Sequence, residues 1–334
     1  MTVAVVILNW NGKKLLERYL PSVVRHSKNA NIYVADNAST DDSLAFLSEN
    51  YPEIKILKNT ENFGFAGGYN EALKQVDEDI YVLLNNDVEV TEGWLDNILY
   101  LFKTSNDIAV IQPKIKSTQN KHKFDYAGAA GGFLDSLGYP FCRGRIFDTI
   151  EGDEGQYDED IEIFWASGAC FCVRRECFRK VKGFDQDYFA HQEEIDLCWR
   201  LKNIGYSIWC CHKSVVYHQG GGTLSNVNPR KTFLNFRNSL FNLLKNSKKN
   251  PFAKIVLRMI LDGIAAIRFL LKGNLKHFFA IFMAHISFYS FMNKMIKKRK
   301  KLKQNEQEFV VKSIVWHNYF LRLNTYNQIK INNN

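Results

Sequence analysis

The turn Asn85-Asn86-Asp87 follows an apolar run directly. An oxygen-rich turn in that place suits a hard divalent cation, which takes carboxylate, carbonyl and phosphate oxygens and usually keeps only one or two protein carboxylates. Asp87 would then hold Mg2+ or Mn2+ on a diphosphate. His218, in Val216-Tyr217-His218-Gln219-Gly220-Gly221-Gly222-Thr223, is a candidate further ligand. Imidazole tolerates Mn2+, and the glycines let backbone approach a phosphate closely; a histidine before glycines is also readable as a turn residue. Glu193-Glu194-Ile195-Asp196 crowds carboxylates that raise one another's pKa, so that one could serve as general base toward a sugar hydroxyl. The same run would equally stabilise a helix N-terminus. Asp36 ends another apolar run, as a site residue or as a turn residue.

Such side chains need elements to hold them. Residues 1–90 alternate short β-rich runs with helix-like segments, the pattern of a parallel sheet covered by helices. Strands are predicted over 3–8, 32–35, 54–57 and 80–84, and helices over 13–25, 43–50 and 66–75. Open α/β sheets bind ligands beyond the carboxyl ends of their strands. Asp36 and Asp87, about fifty residues apart, should therefore emerge at one rim. Asn62-Phe63-Gly64-Phe65-Ala66-Gly67-Gly68-Tyr69-Asn70 opens a helix with glycines, which suits close approach of a nucleotide to helix N–H groups. It is neither the GxGxxG dinucleotide fingerprint nor a phosphate loop of the GxxxxGK[ST] type. Further on, a strand-like 109–111, a glycine-rich 128–144, an acidic loop 148–162 and one strand over 163–173 are expected. A helix over 193–204 follows, with Ile195, Leu197, Cys198 and Leu201 as its inner face and Gly205 as its stop.

The chain has 334 residues, 46% hydrophobic and 24% charged, enough for one large domain with an appendage or for two modest domains. Disorder and fibrous classes are excluded, and six prolines with twenty glycines exclude collagen-like character. Seven cysteines without a CxxC pair or zinc spacing read as reduced, mostly buried thiols. The start carries no basic leader, and its apolar run is too short for a signal or a span. A cytosolic catalytic part is expected.

Taken in order, Val5-Val6-Ile7-Leu8-Asn9-Trp10-Asn11-Gly12, Asp36-Asn37-Ala38-Ser39-Thr40-Asp41, the glycine segment 62–70, Leu83-Leu84-Asn85-Asn86-Asp87, Trp165-Ala166-Ser167-Gly168-Ala169 and Gly183-Phe184-Asp185 leading to Glu193-Glu194-Ile195-Asp196-Leu197 resemble the motif series of glycosyltransferase family 2. The similarity covers about residues 1–240 and lies nearest the bacterial rhamnosyltransferase-like branch. It implies the GT-A fold, an α/β fold with a Rossmann-like mixed sheet flanked by helices. It also implies a nucleoside-diphosphate sugar donor (dTDP or UDP foremost), Mg2+ or Mn2+, and inversion at the anomeric carbon. By position, Asp36 would meet the nucleobase or ribose, with Asn9, Asn62, Gly64 and Asn86 also on the donor. Asn85 and Asp87 would match the metal motif with His218 near metal and diphosphate. Glu194, beside Glu193, would match the acid that deprotonates the acceptor. Two positions depart from the pattern: Asn85 stands at the first acidic position of the metal motif, and Glu194 where Asp is frequent.

The formal charge of +9 is uneven. Residues 245–303 carry fifteen Lys/Arg against Asp262 alone, a net of +14 that leaves −5 to the rest. Apolar clusters alternate with these lysines, which reads as helices lying on an anionic cytoplasmic leaflet, each basic side chain contributing on the order of 1 kcal/mol. A helical cap or dimer contact is the alternative; nucleic acid is not the expected partner. The expected organisation is a catalytic domain over 1–225 and a basic helical region over 226–334. The expected activity is sugar transfer to a saccharide or polyprenyl-diphosphate-linked acceptor in bacterial surface-polysaccharide biosynthesis, peripheral on the inner face of the cytoplasmic membrane. The alternatives are a nucleotidyltransferase and a non-catalytic nucleotide-sugar-binding or membrane scaffold protein.

Overall fold

The computed structural model describes residues 1–220 and 228–331. Strands β1 (Val3–Asn9), β2 (Asn31–Asp36), β3 (Lys55–Lys58) and β4 (Ile80–Asn85) run parallel in the order β4-β1-β2-β3. They are apolar on both faces because both faces are covered. Alternate residues Val3, Val5 and Ile7 join one buried cluster with Leu16 and Leu20 of α1 (Lys13–His26), Leu47 of α2 (Ser43–Asn50) and Ile98 of α4 (Trp94–Thr104), while Ala4 and Val6 join another with Ala66 and Tyr69 of α3 (Gly64–Ala72). This is the period-2 signature of a strand buried on two sides.

The sheet then becomes mixed. β5 (Val88–Val90) follows β4, and β6 (Ile108–Ser117) follows α4. The glycine-rich stretch folds into a separate four-stranded antiparallel sheet of β7 (Gly132–Leu134), β8 (Pro140–Cys142), β9 (Arg145–Ile146) and β10 (Thr149–Ile150). β11 (Ile161–Ile163) and β12 (Cys170–Arg174) come next, then α5 (Arg175–Lys180), α6 (Glu193–Asn203) and β13 (Ser207–His218). β12 lies antiparallel between β4 and β6, β13 runs parallel to β6, and β5 and β11 pair with β13.

One strand was expected over 163–173, and two are found. Residues 164–169 leave the ladder because their polar groups have other partners: the Trp165 indole donates to the Phe133 carbonyl at 2.9 Å, Ser167 N to Gln112 Oε1 at 2.9 Å and Ser167 Oγ to the Ala127 carbonyl at 2.8 Å. Satisfied backbone and side-chain groups need no strand partner. The acidic loop also has a structural use, since Asp153 and Asp158 pair with the buried Lys114.

The C-terminal part is helical: α7 (Pro229–Asn246), α8 (Pro251–Leu271), α9 (Leu275–Lys301), α10 (Ile314–Tyr319) and α11 (Tyr326–Ile331). Asn228 caps α7 by accepting from Arg230 N at 2.9 Å, with Pro229 in the first turn, as a helix start requires. Leu240 and Phe241 of α7, Phe288 of α9 and Ile314 belong to the same apolar cluster as Ala4 and Val6, so the core is continuous across the anticipated division at residue 225, which itself lies outside the described residues. All seven cysteines are free and buried. Among the described residues, no helix is long and apolar enough to cross a membrane.

Candidate active site

Register places the polar strand ends side by side. Asn9 pairs with Asp36 across β1 and β2, and Leu8 pairs with Asn85 across β1 and β4. Asn9 is wholly buried and joins the two sides: its Nδ2 donates toward Asp36 Oδ1 at 3.5 Å and Ser39 Oγ at 3.3 Å, and its Oδ1 accepts from Asn86 Nδ2 at 2.9 Å. Asp36 Oδ2 accepts from Ser39 N at 3.0 Å. Gly12 is required here, since a Cβ would stand 2.3 Å from Asn86 Nδ2 and 2.4 Å from Asn9 Oδ1. Asn37 ties in the glycine segment, donating to Asn62 Oδ1 at 2.9 Å and the Gly64 carbonyl at 3.0 Å, and accepting from Asn59 Nδ2 at 3.0 Å. Asn9, Asp36, Asn62, Gly64 and Asn86 thus form one connected edge.

Asp87 faces His218. β5 pairs with the end of β13, matching Val88 to His218, and this brings His218 Nε2 to 3.2 Å from Asp87 Oδ1. The other ring nitrogen lies 3.0 Å from Asp125 Oδ2, a carboxylate that also accepts from Ala127 N at 2.6 Å. Burial by itself would lower the imidazole's pKa, but the hydrogen-bonded carboxylates on both sides prevail and raise it to about 10. Asp87 Oδ1 and His218 Nε2 are two donors in direct contact, and a carboxylate behind the histidine fixes the ring as second partners of metal ligands do. Among the described residues no group of three or more His, Cys, Asp or Glu could hold a metal ion, so these two protein donors fit a divalent cation only with most of its ligands supplied by substrate. A cation there would require Nε2 to give up its proton and would draw its remaining oxygens from diphosphate and water. Asn85, half-buried at the end of β4, makes no side-chain hydrogen bond among the described residues. Of the glycines after His218, Gly221 and Gly222 lie outside the described residues.

The acidic run at the start of α6 is divided by its surroundings. Asp196 is fully buried and ion-paired, with Arg200 Nε and Lys245 Nζ each at 2.8 Å; burial would raise its pKa, but the two cations hold it below the ordinary carboxylate value. Glu193 Oε2 and Glu194 Oε2 are enclosed without a hydrogen-bond partner among the described residues. Burial pushes Glu194 up to about 7, and burial together with the neighbouring Glu194 pushes Glu193 well above its ordinary carboxylate value. The preceding turn is strained, with Phe189, His191 and Gln192 all at positive φ. Asn238 of α7 holds it, its Nδ2 within 3.1 Å of the Ala190 carbonyl and 2.7 Å of the His191 carbonyl. The Phe189 carbonyl accepts from Phe65 N at 2.8 Å and Ala66 N at 3.2 Å, so this turn is locked to the first turn of α3 and hence to the Asp36 edge. Non-glycine residues held in the left-handed region cost of order 1–3 kcal/mol each and concentrate at working sites.

Comparison with known proteins decides the class. Residues 4–182 match the model of Glycosyl transferase family 2. The chain belongs to that family. It is 27% identical over 239 residues to the N-acetylglucosaminyl-diphospho-decaprenol L-rhamnosyltransferase of Mycobacterium tuberculosis, covering 66% of this chain and 76% of the relative. It is 25% identical over 219 residues to the rhamnosyltransferase WbbL of Escherichia coli K12, covering 61% and 78%. The solved structure of a mannosyltransferase from Pyrobaculum calidifontis, in complex with GDP-Man and Mn2+, shares the fold at a TM-score of 0.52 and 13% identity, covering 89% of this chain and 84% of that one. The fold is GT-A, and this family member is a glycosyltransferase similar to rhamnosyltransferases of glycan biosynthesis.

Within the family member's site, sequence reasoning omitted Asp125, Asn37 and Asn59. Asp125 lies among lysines in 121–126 with no pattern about it; only the pairing of β13 with β6 brings His218 to it. Asn37 stood within a quoted motif, and its neighbour Asp36 drew the attention. Its two-sided hydrogen bonding could not be read from spacing.

Proposed function

We propose that this glycosyltransferase inverts the anomeric carbon of a nucleoside-diphosphate sugar, a dTDP- or UDP-sugar foremost, in passing the sugar to a saccharide or polyprenyl-diphosphate-linked acceptor of a bacterial surface glycan. Asp87 and His218 would hold Mg2+ or Mn2+ against the diphosphate, where the cation offsets charge on the departing nucleotide. Asn9, Asp36, Asn62, Gly64 and Asn86 would seat the nucleoside. Glu194 would remove the acceptor's proton, with Glu193 behind it. The observation carrying this is the Glu194 carboxyl, whose enclosed Oε2 has no hydrogen-bond partner among the described residues and which burial raises to about 7 against its backbone hydrogen bonds, on a turn fastened through Phe189 to the edge that holds Asp36. A general base works best with its pKa near the operating pH.

The same reading places the enzyme on the inner face of the cytoplasmic membrane. Its support is the outward face of α8 and α9, where Val256, Ile260, Ile264 and Ile267 are 54–60% exposed and Phe279 and Phe282 each 57%. Contiguous apolar exposure of this extent is unusual for a free surface, and exposed Lys272 and Lys276 at the hairpin tip match an anionic leaflet.

The test is a nucleotide-sugar panel with and without Mn2+ or Mg2+, read by nucleoside-diphosphate release. Metal-dependent release is expected, lost in Asp87→Ala; release of pyrophosphate instead, or turnover unchanged in Asp87→Ala, would remove the proposal.

A further inference from the structure

Arg145 of β9 is only 6% exposed, yet its Nε meets no acceptor among the described residues and its Nη2 reaches only as far as the Cys142 thiol, at 3.5 Å. A buried guanidinium with an unsatisfied donor is costly unless an anion completes it. The guanidinium stacks 4.5 Å from the centroid of the Tyr126 ring, and Lys231 Nζ lies 5.9 Å from the same centroid. Lys231 belongs to the first turn of α7, an 18-residue helix, so the positive end of that helix faces the same place. Arg230 beside it covers the Phe189 ring at 5.0 Å. Asp125 Oδ2 is bound by His218 and by Ala127 N, and the same carboxylate lies within electrostatic reach of Arg145 and of Lys231. Arg145 and Lys231 thus share the Tyr126 ring beside Asp125, the carboxylate that holds His218, and Arg230 of the same helix turn meets Phe189 of the turn before Glu194.

We propose that Arg145, Lys231 and the amino end of α7 form a second anion site, which takes a diphosphate, that of a polyprenyl-linked acceptor. The inference rests on the function proposed above. The planar fork of arginine matches phosphate oxygens, and a donor diphosphate has its cation at Asp87. An acceptor diphosphate has no such cation and, entering on the Phe189 side, needs fixed positive charge to approach a second diphosphate. The donor's diphosphate is the other source of the same chemistry.

Isothermal titration of the full chain with farnesyl diphosphate, farnesol, and UDP or dTDP with Mn2+ separates them. Farnesyl diphosphate should bind at least about tenfold more tightly than farnesol, and Arg145→Gln and Lys231→Gln should each lose about tenfold of that affinity, as loss of a charge-assisted pair implies. Nucleotide affinity should change less than about twofold by the same argument. Unchanged farnesyl diphosphate binding in both variants would overturn the site, and a loss confined to nucleotide would overturn the acceptor assignment in favour of the donor. Should Arg145→Gln not fold, Lys231→Gln and the charge-preserving Arg145→Lys, expected to retain affinity, carry the same comparison. Absence of turnover across the nucleotide-sugar panel, with diphosphate selectivity intact, would strike the function proposed above and leave the anion site standing.

Discussion

At the scale of residues, the division of one acidic turn is the informative feature. Glu194 and Asp196 are two positions apart, and their environments drive their pKa values in opposite directions, the arrangement by which acid and base roles are assigned in one site. Glu194→Gln should cut transfer by about 10²–10⁴, and the wild-type rate should climb with pH through about 7, a limb missing from the residual activity of the variant. Stability should move the other way. A carboxyl whose folded pKa is raised binds more protons folded than unfolded, so its contribution is lost as pH rises from the ordinary value of 4.5 to about 7. At pH 8, Glu194→Gln should therefore be more stable than wild type, on the order of 3 kcal/mol, measured by urea unfolding; at pH 4 the gain should vanish. Asp125→Asn tests the opposite side of the site. With the ring of His218 no longer held by a carboxylate, the Mn2+ concentration for half-maximal rate should rise about 10–100-fold, and an unchanged metal requirement would count against His218 as a ligand.

At the scale of elements, two contacts position the site. Gly64 sits at φ +70, and a Cβ there would be 2.5 Å from the Phe189 carbonyl oxygen. Gly64→Ala should thus cost about 1–3 kcal/mol in urea unfolding and displace the α6 turn, lowering transfer beyond what stability alone predicts. The second contact is ionic. Lys245 of α7 reaches Asp185 at 2.5 Å and Asp196 at 2.8 Å, and Lys298 of α9 pairs with Asp185 and, at 2.6 Å, with Asp187. Burial would raise the Asp185 pKa, but the two lysines hold it well below the usual carboxylate range. Part of the basic C-terminal region is therefore spent inside the protein, bracing α6, while the rest faces outward.

At the scale of the whole molecule, the α8–α9 hairpin buries an ion pair and exposes many apolar side chains. Inside, Arg258 Nε and Asp262 Oδ1 are 2.8 Å apart, and the Tyr139 hydroxyl donates to Asp262 Oδ1 at 3.1 Å. Outside, apolar residues share the surface with lysines, and Leu271 at the turn is 83% exposed. Replacing Ile260, Ile264, Phe279 and Phe282 together by Ser should abolish cosedimentation with phosphatidylglycerol vesicles at physiological salt while leaving turnover of a water-soluble acceptor unchanged; retained cosedimentation would remove the membrane assignment. The hairpin and the cap are one structure, since the inner stripe of Ile255 and Phe288 joins the common core.

The sequence by itself determined the four parallel strands and the three helices up to residue 85, though not β5 at 88–90, because a strand buried on two faces must read as a continuous apolar run and its polar ends must stop it. Asn9, Asp36 and Asn85 announced the carboxyl edge in this way, and the ordered motifs announced the family. Strand 163–173 was misread because Trp165 and Ser167 find their partners in β7 and in the segment around Ala127, far away in sequence. Asp125 behind His218, Arg145 and Lys231 on one Tyr126 ring, and Lys245 between two aspartates were settled by tertiary structure alone. His218 and Asp125 are 93 residues apart and Lys245 and Asp185 are 60 apart, and a side chain's protonation and pairing follow from what surrounds it in space, which no local spacing encodes.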